Sequence, residues 1–166
     1  MIVKFSIWRI VVDHVDTLRN VRSGRYRPLD FISLFLLPVL FSGVITYYDY
    51  TLSKEIINAL LSSLSVFAAL LFNLLLLVYS IVQKNDAAGL EQIRAKFLRA
   101  IYANISFSIL LTVLTIALLL ITFIGIDVPG FKQILTFIVY SLTVAFLLTL
   151  LMILRRVHSL LFGEMT

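Results

Sequence analysis

Four long stretches of this chain carry no charged side chain in their interiors, and that one feature decides which solvent the fold is built for. They run over 31–48, 56–82, 101–124 and 131–154. A helix needs about 20 apolar residues to cross a hydrocarbon layer roughly 30 Å thick. Backbone groups in lipid must be satisfied internally, which leaves helices or closed barrels. A barrel requires short segments that alternate every second residue. Leu74-Leu75-Leu76-Leu77 and Leu118-Leu119-Leu120 do not alternate. The sequence therefore predicts an all-α, polytopic membrane protein with four transmembrane helices.

Composition agrees. Of 166 residues, 61% are apolar and 14% charged. Soluble domains hold about 45–50% apolar residues and about 25% charged ones. At this length a soluble core cannot hide the excess.

The basic residues divide unevenly between the two ends of the predicted spans. Lys4, Arg9, Arg19, Arg22, Arg25 and Arg27 precede the first span. Lys84, Arg94, Lys96 and Arg99 fall between the second and third, and Arg155 and Arg156 follow the fourth. Only Lys54 and Lys132 fall on the other side. Basic loops stay cytoplasmic. Both termini and the loop between the second and third spans are therefore expected on the cytoplasmic side, an arrangement that an even number of crossings fits.

Three parts follow from this reading. Residues 1–29 form a cytoplasmic amphipathic helix and basic connector, 30–154 the transmembrane domain, and 155–166 a cytoplasmic tail. Over residues 3–20, Ile7, Trp8, Val11, Val12, Val15 and Leu18 recur at helical spacing, with Lys4, Arg9, Asp13, Asp16 and Arg19 opposite. Such a helix either lies among lipid headgroups or packs its apolar stripe against protein. Arg19, Arg22, Arg25 and Arg27 serve as a topology signal or as a docking surface for an acidic partner. Arg94 and Lys96 sit where the third helix extends beyond the bilayer, a second candidate contact for lipid or partner. Direct nucleic-acid binding is not expected of so short a basic segment beside a membrane.

Polar residues recur inside two spans. Asn58, Ser62, Ser65, Ala69, Asn73 and Ser80 share a narrow arc of the second. Asn104, Ser108, Thr112, Thr115 and Thr122 share one in the third. Small and hydroxylated residues allow close helix approach, and amides bond across helices. Asn73 is the expected interhelical hydrogen-bonder. The competing reading is that one of these stripes lines a pore made from several copies.

Catalytic and metal-binding patterns are sparse. With no cysteine, thiol chemistry and cysteine-ligated metals are excluded. No charged residue or histidine lies in a span interior, which argues against ion-coupled transport. His14 and His158 do not have metal-pair spacing. Arg9 and His14 show the Arg-x4-His spacing of one family of helical ribonucleases. Ile10 stands where that family prefers a polar residue. No enzyme activity, cofactor or metal is expected.

Tyr26-Arg27-Pro28-Leu29-Asp30 at the entry to span one, and Ser65-Val66-Phe67-Ala68-Ala69-Leu70-Leu71-Phe72-Asn73-Leu74-Leu75 in span two, carry a resemblance. The chain resembles small four-span membrane subunits of bacterial anti-phage systems, of the Kiwa and CRISPR-associated accessory types. The resemblance implies a homo-oligomeric platform working with a cytosolic partner and transfers no functional residue. Two functions are expected from these features: a non-enzymatic subunit that anchors, senses for or regulates a cytosolic protein, or a holin-like or abortive-infection pore-former. A solute transporter ranks third.

Overall fold

The computed structural model describes residues 7–17, 28–48, 50–86, 92–123 and 130–162. These form five helices and, among the described residues, no strand: α1 (Ile7–Thr17), α2 (Pro28–Tyr47), α3 (Lys54–Asp86), α4 (Gln92–Phe123) and α5 (Phe131–Phe162). Their ends follow from local chemistry. Pro28 opens α2, ahead of the span start at residue 31 expected from sequence; proline suits a first helical turn because its missing N–H would have no partner there. Ser53 caps α3, its hydroxyl accepting from the Ile56 N–H at 3.3 Å while its carbonyl accepts from the Ile57 N–H at 3.0 Å. Gly130 takes φ 79° before α5, a left-handed conformation that glycine adopts without Cβ strain.

Three helices are long and apolar enough to cross a bilayer, through Lys54–Gln83, Leu98–Thr122 and Phe131–His158. The sequence expectation of four is met only to that extent. The described apolar stretch of α2 is the shorter Leu34–Tyr47. α5 continues as helix through the basic pair Arg155-Arg156 to Phe162. α2 runs as one helix through the buried Pro38.

The helices pack as a row. α4 lies against α1, α3 and α5, and α2 lies against α5. The order across the membrane layer is α3–α4–α5–α2, so the sequence neighbours α2 and α3 stand at opposite ends. The contacts use a seven-residue spacing. Ile57, Leu64, Leu71 and Val78 are the buried line of α3, and Val139, Phe146 and Ile153 that of α5. A strict seven-residue repeat keeps one seam facing a partner when helices cross at about 20° in the left-handed sense. As the central helix, α4 is buried on two sides and contributes Ile101, Ile105, Leu111 and Leu119 to the core. Its Thr112 and Thr115 are fully buried there, each hydroxyl donating to the carbonyl one turn back at 2.8 Å. That bond satisfies the hydroxyl within its own helix, so both threonines pack much as valines would.

The outward surface is hydrocarbon. Leu40, Val44, Leu70, Leu76, Leu77, Val113, Leu120, Leu147 and Leu151 are all exposed. Tyr47, Tyr48 and Tyr50 are exposed together between α2 and α3, the position of an interfacial aromatic belt.

In water, deleting a buried aromatic costs about 3–5 kcal/mol. Lipid is as apolar as this core, so the transfer part largely vanishes and the packing part remains. Phe146 is 1% exposed and meets Phe67 of α3 edge-on at 5.7 Å between centroids. Phe146→Ala should therefore destabilise the folded chain by on the order of 1–3 kcal/mol, measured by unfolding in mixed detergent micelles. A loss near zero would show that the α3–α4–α5 contacts are not tightly packed.

Candidate functional site: a buried polar clasp on the amphipathic helix

α1 is amphipathic because its residue types divide around a 3.6-residue turn. Three sectors result. Ile10, Val11, His14, Val15 and Thr17 are buried or half-buried towards the membrane helices. Trp8 and Val12 are exposed on one flank, with Ile7 exposed at the first position of the helix. Arg9, Asp13 and Asp16 are exposed on the remaining side. Both expectations for this helix thus have a surface: one sector packs on α4, and the next is apolar and open. Arg9 and His14 point to different sides, so their spacing assembles no catalytic pair.

His14 is the one fully buried residue of α1. Its ring stacks on Phe107 of α4, with centroids 3.9 Å apart and planes 10° from parallel. Its Nδ1 lies 2.9 Å from Asn104 Oδ1. The Thr17 hydroxyl lies 2.8 Å from the same oxygen and 2.6 Å from the His14 carbonyl. From α5, the Arg156 guanidinium donates to the Thr17 carbonyl. That carbonyl is at the last turn of α1, where the helix dipole favours a cation. Three helices, distant in sequence, are joined through four polar side chains.

The protonation state follows from the partners. A carboxamide oxygen accepts only, so Nδ1 carries the proton and a neutral ring leaves Nε2 as an acceptor. Nε2 is buried without a hydrogen-bond partner, as are Asn104 Nδ2 and Ser108 Oγ one turn further along α4. A second proton on the ring would place a cation out of water and near Arg156. Burial accordingly pulls the His14 pKa down from 6.5 to about 4; the Asn104 hydrogen bond opposes the shift and the Arg156 charge adds to it.

Each buried orphan costs about 1–3 kcal/mol. The clasp is therefore specific but only partly satisfied, a condition in which a modest change in one group alters the balance. A sealed imidazole with a lowered pKa suits a proton-sensitive joint. Among the described residues, no group of three histidine, cysteine or carboxylate side chains could hold a metal.

The expected site residues fall into three groups. Asn104, Ser108, Thr112 and Thr115 are fully buried, the first two in or beside the clasp. Asn58, Ser62, Ser65 and Asn73 are exposed on the outer side of α3. Arg19, Arg22, Arg25 and Arg27 lie outside the described residues, and so do the side chains of Arg94 and Lys96 on α4. Sequence reasoning weighed His14 only as a metal ligand or catalytic partner and Arg156 only as a topology signal, and it did not single out Thr17. The available signal was a histidine placed between Val11 and Val15 on an otherwise apolar stripe.

No protein-family model, no curated protein and no solved structure matches this chain.

Trp8 is the only tryptophan, so its fluorescence reports on α1. Docking favours neutral His14, so its contribution is complete above pH 6.5 and is lost as pH falls from 6.5 towards about 4. Trp8 emission should be flat above pH 6.5 and change over that window, and the change should be absent in His14→Leu. An identical transition in the variant would assign it to other groups. Separately, Asn104→Leu strands the Nδ1 proton and should weaken docking by about 1–3 kcal/mol, read as raised hydrogen exchange over residues 7–17. Unchanged exchange would mean that the clasp does not hold α1.

Proposed function

We propose that the chain is a non-catalytic, homo-oligomeric subunit of a bacterial inner membrane that regulates or anchors a cytosolic protein through α1. In this reading α2 is the fourth crossing. Its 20 residues reach about 30 Å at 1.5 Å per residue, and it lies alongside α5. Both termini are then cytoplasmic. The charge distribution supports this topology: Arg99, Arg155 and Arg156 flank the α4–α5 end that receives α1, while Lys54 and Lys132 begin α3 and α5 at the other end.

The observation that carries the reading is the clasp. α1 is the one described helix too short and too charged to cross a bilayer. It is fixed to two spans by a network that leaves buried polar atoms unpaired. In this reading a partner or a proton selects between docked and released positions of α1 by binding one of them better. The exposed Ile7, Trp8 and Val12 offer an apolar contact, and the basic connector that follows α1 in the sequence supplies positive charge, a combination suited to an acidic protein with an apolar anchor. Anti-phage defence, implied by the resemblance of the span-one entry and span-two core, is the setting in which that partner is sought.

Affinity capture from mild detergent tests the proposal. The intact chain should recover a cytosolic protein, and Trp8→Ala with Val12→Ser should lose it while the membrane-embedded part is retained. Recovery of no cytosolic protein by the intact oligomer would count against the reading.

A pore-forming effector is the second reading. The outward position of Asn58, Ser62, Ser65 and Asn73 favours it, because a ring of copies could turn that face towards a lumen. Induced expression that leaves membrane potential and dye exclusion intact would remove it.

A further inference from the structure

The polar residues of α3 face away from the rest of this chain. Asn58, Ser62, Ser65, Ala69, Asn73 and Ser80 are all exposed. At 100° per residue their arc is centred roughly 140° from the Ile57–Leu64–Leu71–Val78 line that packs on α4. Phe67, on the far flank of that line, reaches Phe146 of α5, so the stripe points away from α5 as well. α2, beyond α5, and α1, on α4, do not pack against α3. No described helix of the same molecule covers this face.

Its chemistry is wrong for hydrocarbon. Ser65 and Ser80 satisfy their hydroxyls on the carbonyls of Leu61 and Leu77, at 2.7 and 2.8 Å. Asn73 has no such partner among the described residues. It lies about 15 Å along the helix from Gln83, the end of the apolar stretch, well below the headgroups. A carboxamide left bare at that depth loses several kcal/mol.

We propose that this outer face of α3 docks directly on the same face of a second copy, with Asn73 bonded to Asn73 across a two-fold axis along the membrane normal. Three features select a second copy over any other occupant. A carboxamide is both donor and acceptor, so it is complementary to itself. A second copy has the same topology, so its Asn73 arrives at the same depth; an unrelated helix would need a matching polar group there by coincidence. Ser62, Ser65 and Ala69 are small, and the four-residue step from Ser65 to Ala69 to Asn73 gives the close-approach geometry used by paired membrane helices. The contact is isologous and closes at two copies. It rests on the membrane reading above and names the partner in its homo-oligomer.

The absence of cysteine makes the test clean. Full-length Ser65→Cys, Ala69→Cys and Leu70→Cys chains are oxidised in native membranes. Leu70 is an exposed neighbour at the same depth, roughly 100° from the stripe's centre. Disulfide-linked dimers are expected at 65 and 69, not at 70. Asn73→Leu in the Ala69→Cys background should weaken association roughly 3- to 30-fold, read by diluting the protein in lipid. Cross-linking at 65 and 69 no greater than at 70 overturns the proposal, whether or not a cytosolic partner is captured through α1. Rapid modification of Ser65→Cys by a charged, membrane-impermeant thiol reagent also overturns it, because a dry contact admits no water and a lumen does.

Discussion

The constraint on which everything else depends is that this protein's outer surface dissolves in hydrocarbon. Leucine, valine, isoleucine and phenylalanine cover the outward sides of α2, α3, α4 and α5. With lipid as solvent, burying those side chains gains little. What distinguishes inside from outside is packing geometry and the handling of polar atoms. The seven-residue lines on α3 and α5 supply the first. The second is solved differently at each polar position. Thr112, Thr115, Thr143 and Thr149 bond back to their own helices. Asn104 is matched by α1, and Asn73 is left facing out.

That contrast between two asparagines organises the molecule. Both sit on narrow polar stripes of long apolar helices. Asn104 lies towards the N-terminal end of α4, where an amphipathic helix reaches it, and it binds the histidine and threonine of α1. Asn73 lies deeper on the edge of the helix row, where no other described helix of the same chain reaches. One stripe thus turns inward to hold α1, and the other turns outward, away from the rest of the described helices. The clasp and the outer face of α3 share no residue, so mutations can address each separately.

Much of the fold was legible in the sequence, for a physical reason: spans are long, apolar and charge-free, and each declares itself without reference to the others. Helical periodicity also showed which polar residues share a face. It did not show which way a face points, because that depends on the neighbour order α3–α4–α5–α2. Asn73 was expected to bond across helices, and among the described residues of this chain it has no partner; Asn104 has one, at a residue 90 positions away. The buried role of His14 was illegible for the same reason, since its environment is made by Asn104, Phe107 and Arg156 from two other helices. α2 read as a full span from residues 31–48, while the described apolar helix there is shorter.

Depth profiling addresses the solvent claim directly. Nitroxide labels at Leu70, Val113 and Leu147, one on each of the three long spans, should collide readily with oxygen, which partitions into lipid. They should be shielded from a water-soluble nickel chelate, with shielding greatest near mid-span. Nickel accessibility at these positions equal to that of a label at exposed Asp13 would mean that water bathes these faces, and the account would be contradicted at its root.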